Sequence, residues 1–235
     1  MASSEFVVRP VARIRSDFAS KFGIPKQSGL VPALTAKVVF EPEYRSADAL
    51  RGIEGYSHLW LLWQFSASVR PADEPFSPTV RPPRLGGNVR VGVFASRSPF
   101  RPNSIGLSCV ELERVDPDDP EGPVLIVRGA DLMDGTPILD VKPYIPYADS
   151  RPGATGGFTD SVMARTVRCV FPPELLERVP PDKREALIGV LEQDPRPSYQ
   201  DDPDRVYGFT FAGFEIKFRR MENLLIVEDI TDNNG

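Results

Sequence analysis

Proline and glycine occur so often and so evenly along this chain that a bundle of long helices is not expected. The 235 residues include 25 prolines and 18 glycines, which are spread along most of the sequence. Proline lacks a backbone donor and glycine readily enters turns, so the pattern is typical of short strands joined by turns. The sequence therefore predicts a mainly β fold.

The first 145 residues contain seven stretches with strand character. In one of them, residues 90–96, Val91, Val93 and Ala95 fall on one face, as expected for a strand with one buried side. This number of short strands predicts a small β barrel or a curled sheet. The candidate strands are 6–14, 35–40, 57–65, 90–96, 105–115, 124–130 and 138–142.

A polar stretch at 147–157, with one proline and three glycines, is the best linker in the chain. It divides the sequence into a barrel domain at 1–150 and a small α+β C-terminal domain at 151–235. A short helix capped by Ser46 is expected at 46–51 in the first domain. In the second domain we expect a helix at 182–193 and strands at 163–171, 206–211, 214–219 and 224–230.

The two cysteines, Cys109 and Cys169, lie in apolar strand contexts without CxxC spacing. They are interpreted as buried free thiols of a reducing compartment. The N-terminus lacks the pattern of a signal peptide, and no apolar run approaches the length of a membrane span. We therefore expect a cytoplasmic protein that does not enter a membrane.

The single histidine, His58, precedes a Leu-Trp-Leu-Leu-Trp strand and is more often a structural residue than a base in such a setting. One histidine without a cysteine cluster leaves no basis for a metal site. The chain has no GxSxG, Walker A or GxGxxG motif. A hydrolase that uses Cys109 or a Ser-His pair is kept as a remote alternative.

Residues 81–108, called here the arginine segment, carry five arginines, and the wider stretch 75–110 contains no acidic residue. The whole chain, in contrast, has a net charge of −5. Arginine binds phosphate or carboxylate with two parallel hydrogen bonds, and glycine lets a ligand approach the backbone. The segment predicts an anion or nucleotide site, with a basic surface of Arg-carboxylate pairs as the alternative.

Two further loops carry polar groups. Residues 22–30, called here the lysine loop, have Lys26, Gln27 and Ser28 at the tip and are a binding loop or simply a solvated one. Residues 130–147, called here the aspartate turn, hold Asp131, Asp134 and Asp140 around an Asp-Gly-Thr-Pro turn. These carboxylates either cap the turn or face ribose hydroxyls or a cationic ligand centre.

Four ordered motifs resemble those of the TsaA-like family, and they span about residues 5–150. Its characterised bacterial members are S-adenosyl-L-methionine-dependent methyltransferases that act on N6-threonylcarbamoyladenosine beside the tRNA anticodon. QDPRPSY at 193–199 resembles a motif of the bacterial C-terminal extension, while Ser104 departs from the usual RPNPI pattern. The four motifs are FGIPKQSGL, EGYSHLW at 54–60, RPPRLGGN with GVFASRSPFRPNSIGLS, and DLMDGTPILDVKPYIPY.

The resemblance implies a small β-barrel methyltransferase, distinct from the Rossmann class, that works as a homodimer on the tRNA anticodon stem-loop. For the substrate it implies Arg81, Arg84, Arg101 and Lys142, and the candidates for proton handling are Asp134, Asp140 and Tyr144. The C-terminal residues Arg196, Tyr199, Lys217, Arg219 and Arg220 are candidates to extend the RNA surface, or belong to a plain scaffold. A barrel that binds RNA or a nucleotide without catalysis is the alternative class. For S-adenosyl-L-methionine the resemblance implies Lys26, Gln27, Ser28, Ser66, Ala67, Arg97, Leu107, Asp131, Leu132, Met133, Asp134 and Gly135.

Overall fold

A computed structural model describes residues 6–67, 75–85, 87–162, 166–196, 202 and 205–233, without the side chains of Arg84, Ser161 and Val162. Tyr199 and part of the QDPRPSY motif lie outside the described residues. The helices are α1 (Ala47–Leu50), α2 (Pro146–Asp149), α3 (Pro173–Leu176) and α4 (Pro181–Glu192). The strands are β1 (Ala12–Arg15), β2 (Thr35–Phe40), β3 (His58–Gln64), β4 (Thr79–Val80), β5 (Val91–Gly92), β6 (Ile105–Asp116), β7 (Val124–Arg128), β8 (Pro137–Pro143), β9 (Arg168–Val170), β10 (Val206–Phe211), β11 (Phe214–Met221) and β12 (Leu224–Asp232).

Six strands form a closed barrel in the order β1-β2-β7-β6-β3-β8, with β1 pairing back onto β8. All of its pairs are antiparallel. Inward residues alternate with outward ones along β3, where Leu59, Leu61 and Trp63 point into the barrel. The prediction of a mainly β chain built on a small barrel is confirmed.

Two of the seven expected strands differ from the observed ones. The first begins at Ala12 rather than at residue 6, just after Pro10, which cannot donate a ladder hydrogen bond. The stretch 90–96 forms only β5, paired with β4, and then the 3-10 helix Val93–Ala95. The backbone turns at Val93, so the alternation of Val91, Val93 and Ala95 does not continue as a strand.

The helix expected at 46–51 is α1, with Ser46 at its N-cap position but without a side-chain capping hydrogen bond. It ends before Gly52, whose φ of 87° is in the left-handed region. Within the described residues, none of the helices has both the length and the apolar surface that crossing a bilayer requires.

The C-terminal part is an α+β unit, as expected. A four-stranded sheet in the order β10-β11-β12-β9 packs with α4 over one core. The meander of β10, β11 and β12 follows the sequence prediction closely, and the Ala212-Gly213 turn has the two positive φ angles of a tight hairpin. The expected strand at 163–171 is confined to β9, and residues 163–165 lie outside the described residues.

The core of the C-terminal unit contains residues from the barrel half of the chain. Phe18, Val31 and Leu34, all in the connection between β1 and β2, are buried in the same cluster as Leu187 and Phe211. The Phe18 and Phe211 rings meet edge to face with centroids 5.4 Å apart. This shared core fixes the connection that carries the lysine loop.

Direct polar and close contacts reinforce the shared core. The Lys183 ammonium lies 2.7 Å from the Asp17 carboxylate, and the Ala212 N–H donates to the Asp17 carbonyl at 2.9 Å. A Cβ atom on Gly23 would lie 2.3 Å from the Phe209 ring, so the loop backbone rests directly on that ring. The lysine loop is thus placed by two structural units at once.

Candidate active site

A cavity of about 790 Å³ opens at one end of the barrel, where β3 ends and β6 begins. This volume falls within the roughly 300–1,000 Å³ of small-molecule sites. Its walls come from the lysine loop, the arginine segment, the end of β3 and the aspartate turn. The three loops singled out in the sequence therefore meet at one place.

Trp63 and Gly106 form the floor of this cavity. They are paired across β3 and β6, and a Cβ atom on Gly106 would lie only 2.3 Å from the indole ring. The Trp63 Nε1–H donates to Ser108 Oγ at 3.0 Å, and the Ser108 hydroxyl donates to Asp131 Oδ1 at 2.6 Å. The glycine is required because only a bare backbone lets the indole lie flat against the strand.

Asp131 is a partly buried acid that lines the cavity. Burial raises the pKa of its carboxyl group, while the hydrogen bond from Ser108 and the charge of Arg97 act in the opposite direction. Ser108 itself is only 1% exposed, so the bond between the two side chains is shielded from water. The position of this carboxylate is therefore set by the barrel wall.

The lysine loop is attached to the barrel through its C-terminal half. The Cys109 N–H donates to Ser28 Oγ at 3.1 Å, and the Gly29 N–H donates to the Gly129 carbonyl at 2.8 Å. At the tip, Gln27 accepts a hydrogen bond from Arg97 Nη1. Lys26 and Gln27 line the cavity, whereas Ser28 contacts β6 beside it.

The arginine segment offers unpaired positive charge to the cavity. Arg97 and Arg101 line it, and Arg101 donates to the Ser96 carbonyl at 3.1 Å. Neither of them, nor Arg81 or Arg90, forms an ion pair with a carboxylate in the part of the chain that the structure describes. Among the described residues, these arginines therefore do not form the Arg-carboxylate pairs of the alternative interpretation, and the Arg84 side chain is not among those described.

The remaining carboxylates of the aspartate turn have partners elsewhere. Asp134 Oδ1 accepts from the Ser16 N–H at 3.0 Å and lines a separate depression with Lys183. Asp140 forms an ion pair with Lys142 at 2.8 Å and accepts from the Val141 N–H at 2.9 Å. Asp134 thus binds the backbone that follows β1 and does not cap its own turn in the structure.

The structure brings together most of the residues implied for the cofactor. Ser28, Asp134 and Gly135 are next to the cavity in sequence but do not line it. Trp63, Gly106, Ser108 and Thr136 were missed, although the serine could have been found as a polar residue at an inward position of β6. Those that line the cavity are Lys26, Gln27, Ser66, Ala67, Arg97, Leu107, Asp131, Leu132 and Met133.

The residues implied for substrate and proton transfer are more dispersed. Arg101 lines the cavity, Arg81 and Lys142 are exposed outside it, and the Arg84 side chain is outside the described residues. Tyr144 packs against Trp60, with ring centroids 5.8 Å apart, and does not line the cavity. The cavity therefore contains most of the residues implied for the cofactor and few of those implied for the tRNA.

His58 and the cysteines lie away from the cavity. His58 is exposed on β3, with Ser57 Oγ 3.0 Å from its Nδ1. Burial raises the pKa of Cys169 to about 12 and also raises the pKa of Cys109. Among the residues described, no group of three or more His, Cys, Asp or Glu side chains could hold a metal ion.

We expect both thiols to react slowly with an aromatic disulfide reagent in the native protein. A raised pKa leaves little thiolate at mildly alkaline pH, and the thiolate is the reactive form. The reaction can be followed by the absorbance of the released thiol, with the urea-unfolded chain as the fast-reacting reference. A thiol that reacts as fast in the native protein would favour the hydrolase alternative.

The fold and the cavity define the class of small closed β barrels that bind a ligand at one open end. The chain belongs to the TrmO family. The family model described as the tRNA-methyltransferase O N-terminal domain matches residues 13–150, and that of the TrmO C-terminal domain matches residues 171–233. The resemblance stated from the four motifs is thereby confirmed.

Known relatives match along most of the chain. A protein of Escherichia coli (strain K12) named tRNA (adenine(37)-N6)-methyltransferase is 39% identical over 224 residues, covering 92% of this chain and 94% of its own. A Methanothermobacter thermautotrophicus protein named "Probable S-adenosyl-L-methionine-binding protein" is 35% identical over 150 residues, covering 64% and 98%. A crystal structure of TrmO from Pseudomonas aeruginosa superposes with a TM-score of 0.76 at 31% identity, covering 97% of this chain and all of that one.

Proposed function

We propose that this chain is an S-adenosyl-L-methionine-dependent tRNA methyltransferase that methylates N6 of N6-threonylcarbamoyladenosine next to the anticodon. The observation that carries the proposal is the cavity, which gathers nine of the residues that the resemblance assigns to the cofactor. The names of the relatives from Escherichia coli and Methanothermobacter thermautotrophicus support the same reaction class and the same cofactor.

The residues present fit the chemistry of S-adenosyl-L-methionine. Arg97 and Lys26 offer cations for the carboxylate of the methionine part. Trp63, Phe65 and Phe94 line the cavity with aromatic surface suited to an adenine ring. Asp131 also lines the cavity and adds a carboxylate to this set of cationic and aromatic side chains.

Bound S-adenosyl-L-methionine supplies an electrophilic methyl group on its sulfonium. The residues of the cavity contribute by holding the acceptor nitrogen in line with that group and by excluding water. Such positioning can lower a barrier by about 7–11 kcal/mol. The rigid barrel wall, with Trp63 held flat by Gly106, is suited to this role.

For the tRNA we propose contacts from Arg101 at the cavity and from Arg81 and Lys142 outside it, together with Arg84, whose side chain is not among those described. Phosphates and unstacked bases of an anticodon loop suit arginine side chains, and such binding weakens steeply as salt rises. Asp134, Asp140 and Tyr144 stay predictions for proton handling. In the C-terminal unit the exposed Lys217 stays a candidate for further RNA contacts, whereas Arg196 is only 6% exposed and is paired with Asp194.

We further propose that the chain acts as a homodimer in the cytoplasm, the compartment that holds its proposed tRNA substrate. Four large apolar side chains are exposed around the cavity, and Phe94 is 74% exposed. Such a group favours a surface that another molecule covers. The other three are Phe100, Ile105 and Leu107. We also propose 1–150 and 151–235 as the two domains, with cores that meet at the connection between β1 and β2.

The function can be tested by calorimetry with S-adenosyl-L-methionine and by mass spectrometry of nucleosides after incubation with threonylcarbamoylated tRNA. We expect binding and one added methyl group on the modified adenosine. Arg97→Ala should weaken cofactor binding about tenfold to a hundredfold, because a charged hydrogen bond is lost.

Arg114→Ala is the matched control, since this arginine pairs with Glu113 on β6 and does not line the cavity. It should bind the cofactor like the wild type. Cofactor binding without methylation of the tRNA would favour a non-catalytic module, and no binding at all would contradict the proposal.

A further inference from the structure

Asp131 stands out among the charged side chains of the cavity. The others are Lys21, Lys26, Arg97 and Arg101, which are all cations. Within the described part of the chain, Asp131 is thus the single carboxylate that lines the cavity. A reaction step in the cavity that needs a carboxylate therefore has Asp131 as the candidate among the described residues.

The carboxylate of Asp131 is bound by the Ser108 side chain, which is in turn bound by Trp63. Ser108 donates to its Oδ1 at 2.6 Å, and Trp63 donates to the Ser108 oxygen at 3.0 Å. Both donors are buried, and each is on a strand of the closed barrel. A serine hydroxyl that accepts from the indole must point its own proton toward Asp131, so the chain of bonds has a defined direction.

The other acids of the aspartate turn are engaged differently. Asp134 accepts a backbone hydrogen bond from Ser16, and Asp140 is paired with Lys142. Neither lines the cavity. The geometry therefore separates Asp131 from its neighbours in sequence, which spacing alone could not do.

We infer that Asp131 accepts the N6 proton of the substrate and that Ser108 and Trp63 are its positioning residues. This rests on the proposed function. The N6–H bond breaks and its proton passes to the Asp131 carboxylate. The electron pair of the broken N6–H bond forms the new bond between nitrogen and the methyl carbon. The bond between sulfur and the methyl carbon breaks, and its electron pair stays on sulfur.

The environment of Asp131 suits a proton acceptor. Burial raises the pKa of this carboxyl group, and a base is most effective when its pKa approaches the working pH. The hydrogen bond from Ser108 and the charge of Arg97 limit this rise. The carboxyl group of Asp131 therefore holds a proton better than that of an exposed aspartate.

The test compares Asp131→Asn with Asp134→Asn and the exposed surface variant Asp118→Asn. Asp131→Asn should lower kcat about a hundredfold or more, the range of general base catalysis, while Asp118→Asn matches the wild type. Affinities for S-adenosyl-L-methionine and its neutral product S-adenosylhomocysteine are measured by calorimetry. For Asp131→Asn their ratio should stay within about twofold of the wild-type ratio, since the proposed role is toward the substrate proton.

The pH profile of kcat for Ser108→Ala distinguishes a positioning role from a purely structural one, since a purely structural role would leave the profile unchanged. The Ser108 hydrogen bond lowers the pKa of Asp131, so its removal should shift the acid limb of the kcat profile to higher pH. Ser108→Thr keeps a hydroxyl and should leave the limb near the wild-type position. Thermal unfolding of each variant shows whether the fold is retained.

Each other outcome overturns the inference. If Asp131→Asn keeps kcat, or Asp134→Asn alone abolishes it, the proton acceptor is elsewhere. If Asp131→Asn weakens binding of S-adenosyl-L-methionine but not of its product, the carboxylate faces the sulfonium instead. If the wild type transfers no methyl group to tRNA, the proposed function is wrong as well. The variant results described above would contradict only the role of Asp131 and not the proposed function.

Discussion

A chain that ends after residue 150 should lose cooperative unfolding and aggregate. The barrel would keep its six strands, but Phe18, Val31 and Leu34 would lose the C-terminal core that now buries them. Exposing large apolar side chains forfeits about 1.5–3 kcal/mol each. The loss is then comparable to the roughly 5–15 kcal/mol that stabilises a typical domain.

Urea unfolding followed by fluorescence of Trp60 and Trp63 measures this effect, since both tryptophans are in the barrel. The matched control is the same shortened chain with Phe18→Ser, Val31→Thr and Leu34→Thr, which should be more soluble. If the unmodified short chain unfolds at the urea concentration of the full-length protein, the shared core contributes nothing to the barrel.

Gly106→Ala should destabilise the protein by about 2–4 kcal/mol, the combined range of an overpacked core and a broken buried hydrogen bond. The new Cβ atom would lie 2.3 Å from the Trp63 ring, which is the cross-strand partner of this glycine. The ring must move, and its hydrogen bond to Ser108 is then lost. Cofactor affinity should fall with stability, because both residues line the cavity.

Gly92→Ala is the matched control for this substitution. Gly92 has an ordinary φ of −58°, and an added Cβ atom would meet nothing within 4 Å. Its urea midpoint and its affinity measured by calorimetry should equal those of the wild type. Equal urea midpoints for Gly106→Ala and Gly92→Ala would show that Trp63 accommodates the extra carbon at position 106.

Local patterns predicted the C-terminal meander well because each of its signals acts over a few residues. Phe214, Ile216 and Phe218 alternate with polar residues, and the Ala212-Gly213 turn joins β10 and β11 with the expected positive φ angles. The same rule failed at 90–96, because only Val91–Gly92 pair there, with β4, and residues 93–95 turn into a 3-10 helix that alternation does not reveal. Period-two patterning is thus reliable only where the backbone can form a ladder.

The motifs located the cavity, but they did not show which acid of the aspartate turn lines it. Asp131 and Asp134 are three residues apart in one turn, and the direction of each side chain depends on contacts with Ser108 and Ser16 that are distant in sequence. Gly135, with a φ of 74°, redirects the chain between them and β8. Long-range partners of this kind cannot be read from spacing.

The shared core also limits how this chain can change over evolutionary time. Phe18, Val31 and Leu34 are buried in the core of the C-terminal unit, so a mutation that removes this unit uncovers apolar surface at three positions at once. Three separate substitutions are needed to repair them, and each is harmful while the unit is still present. Loss of the C-terminal unit therefore has no gradual route, and selection for stability alone retains it even where its contribution to catalysis is small.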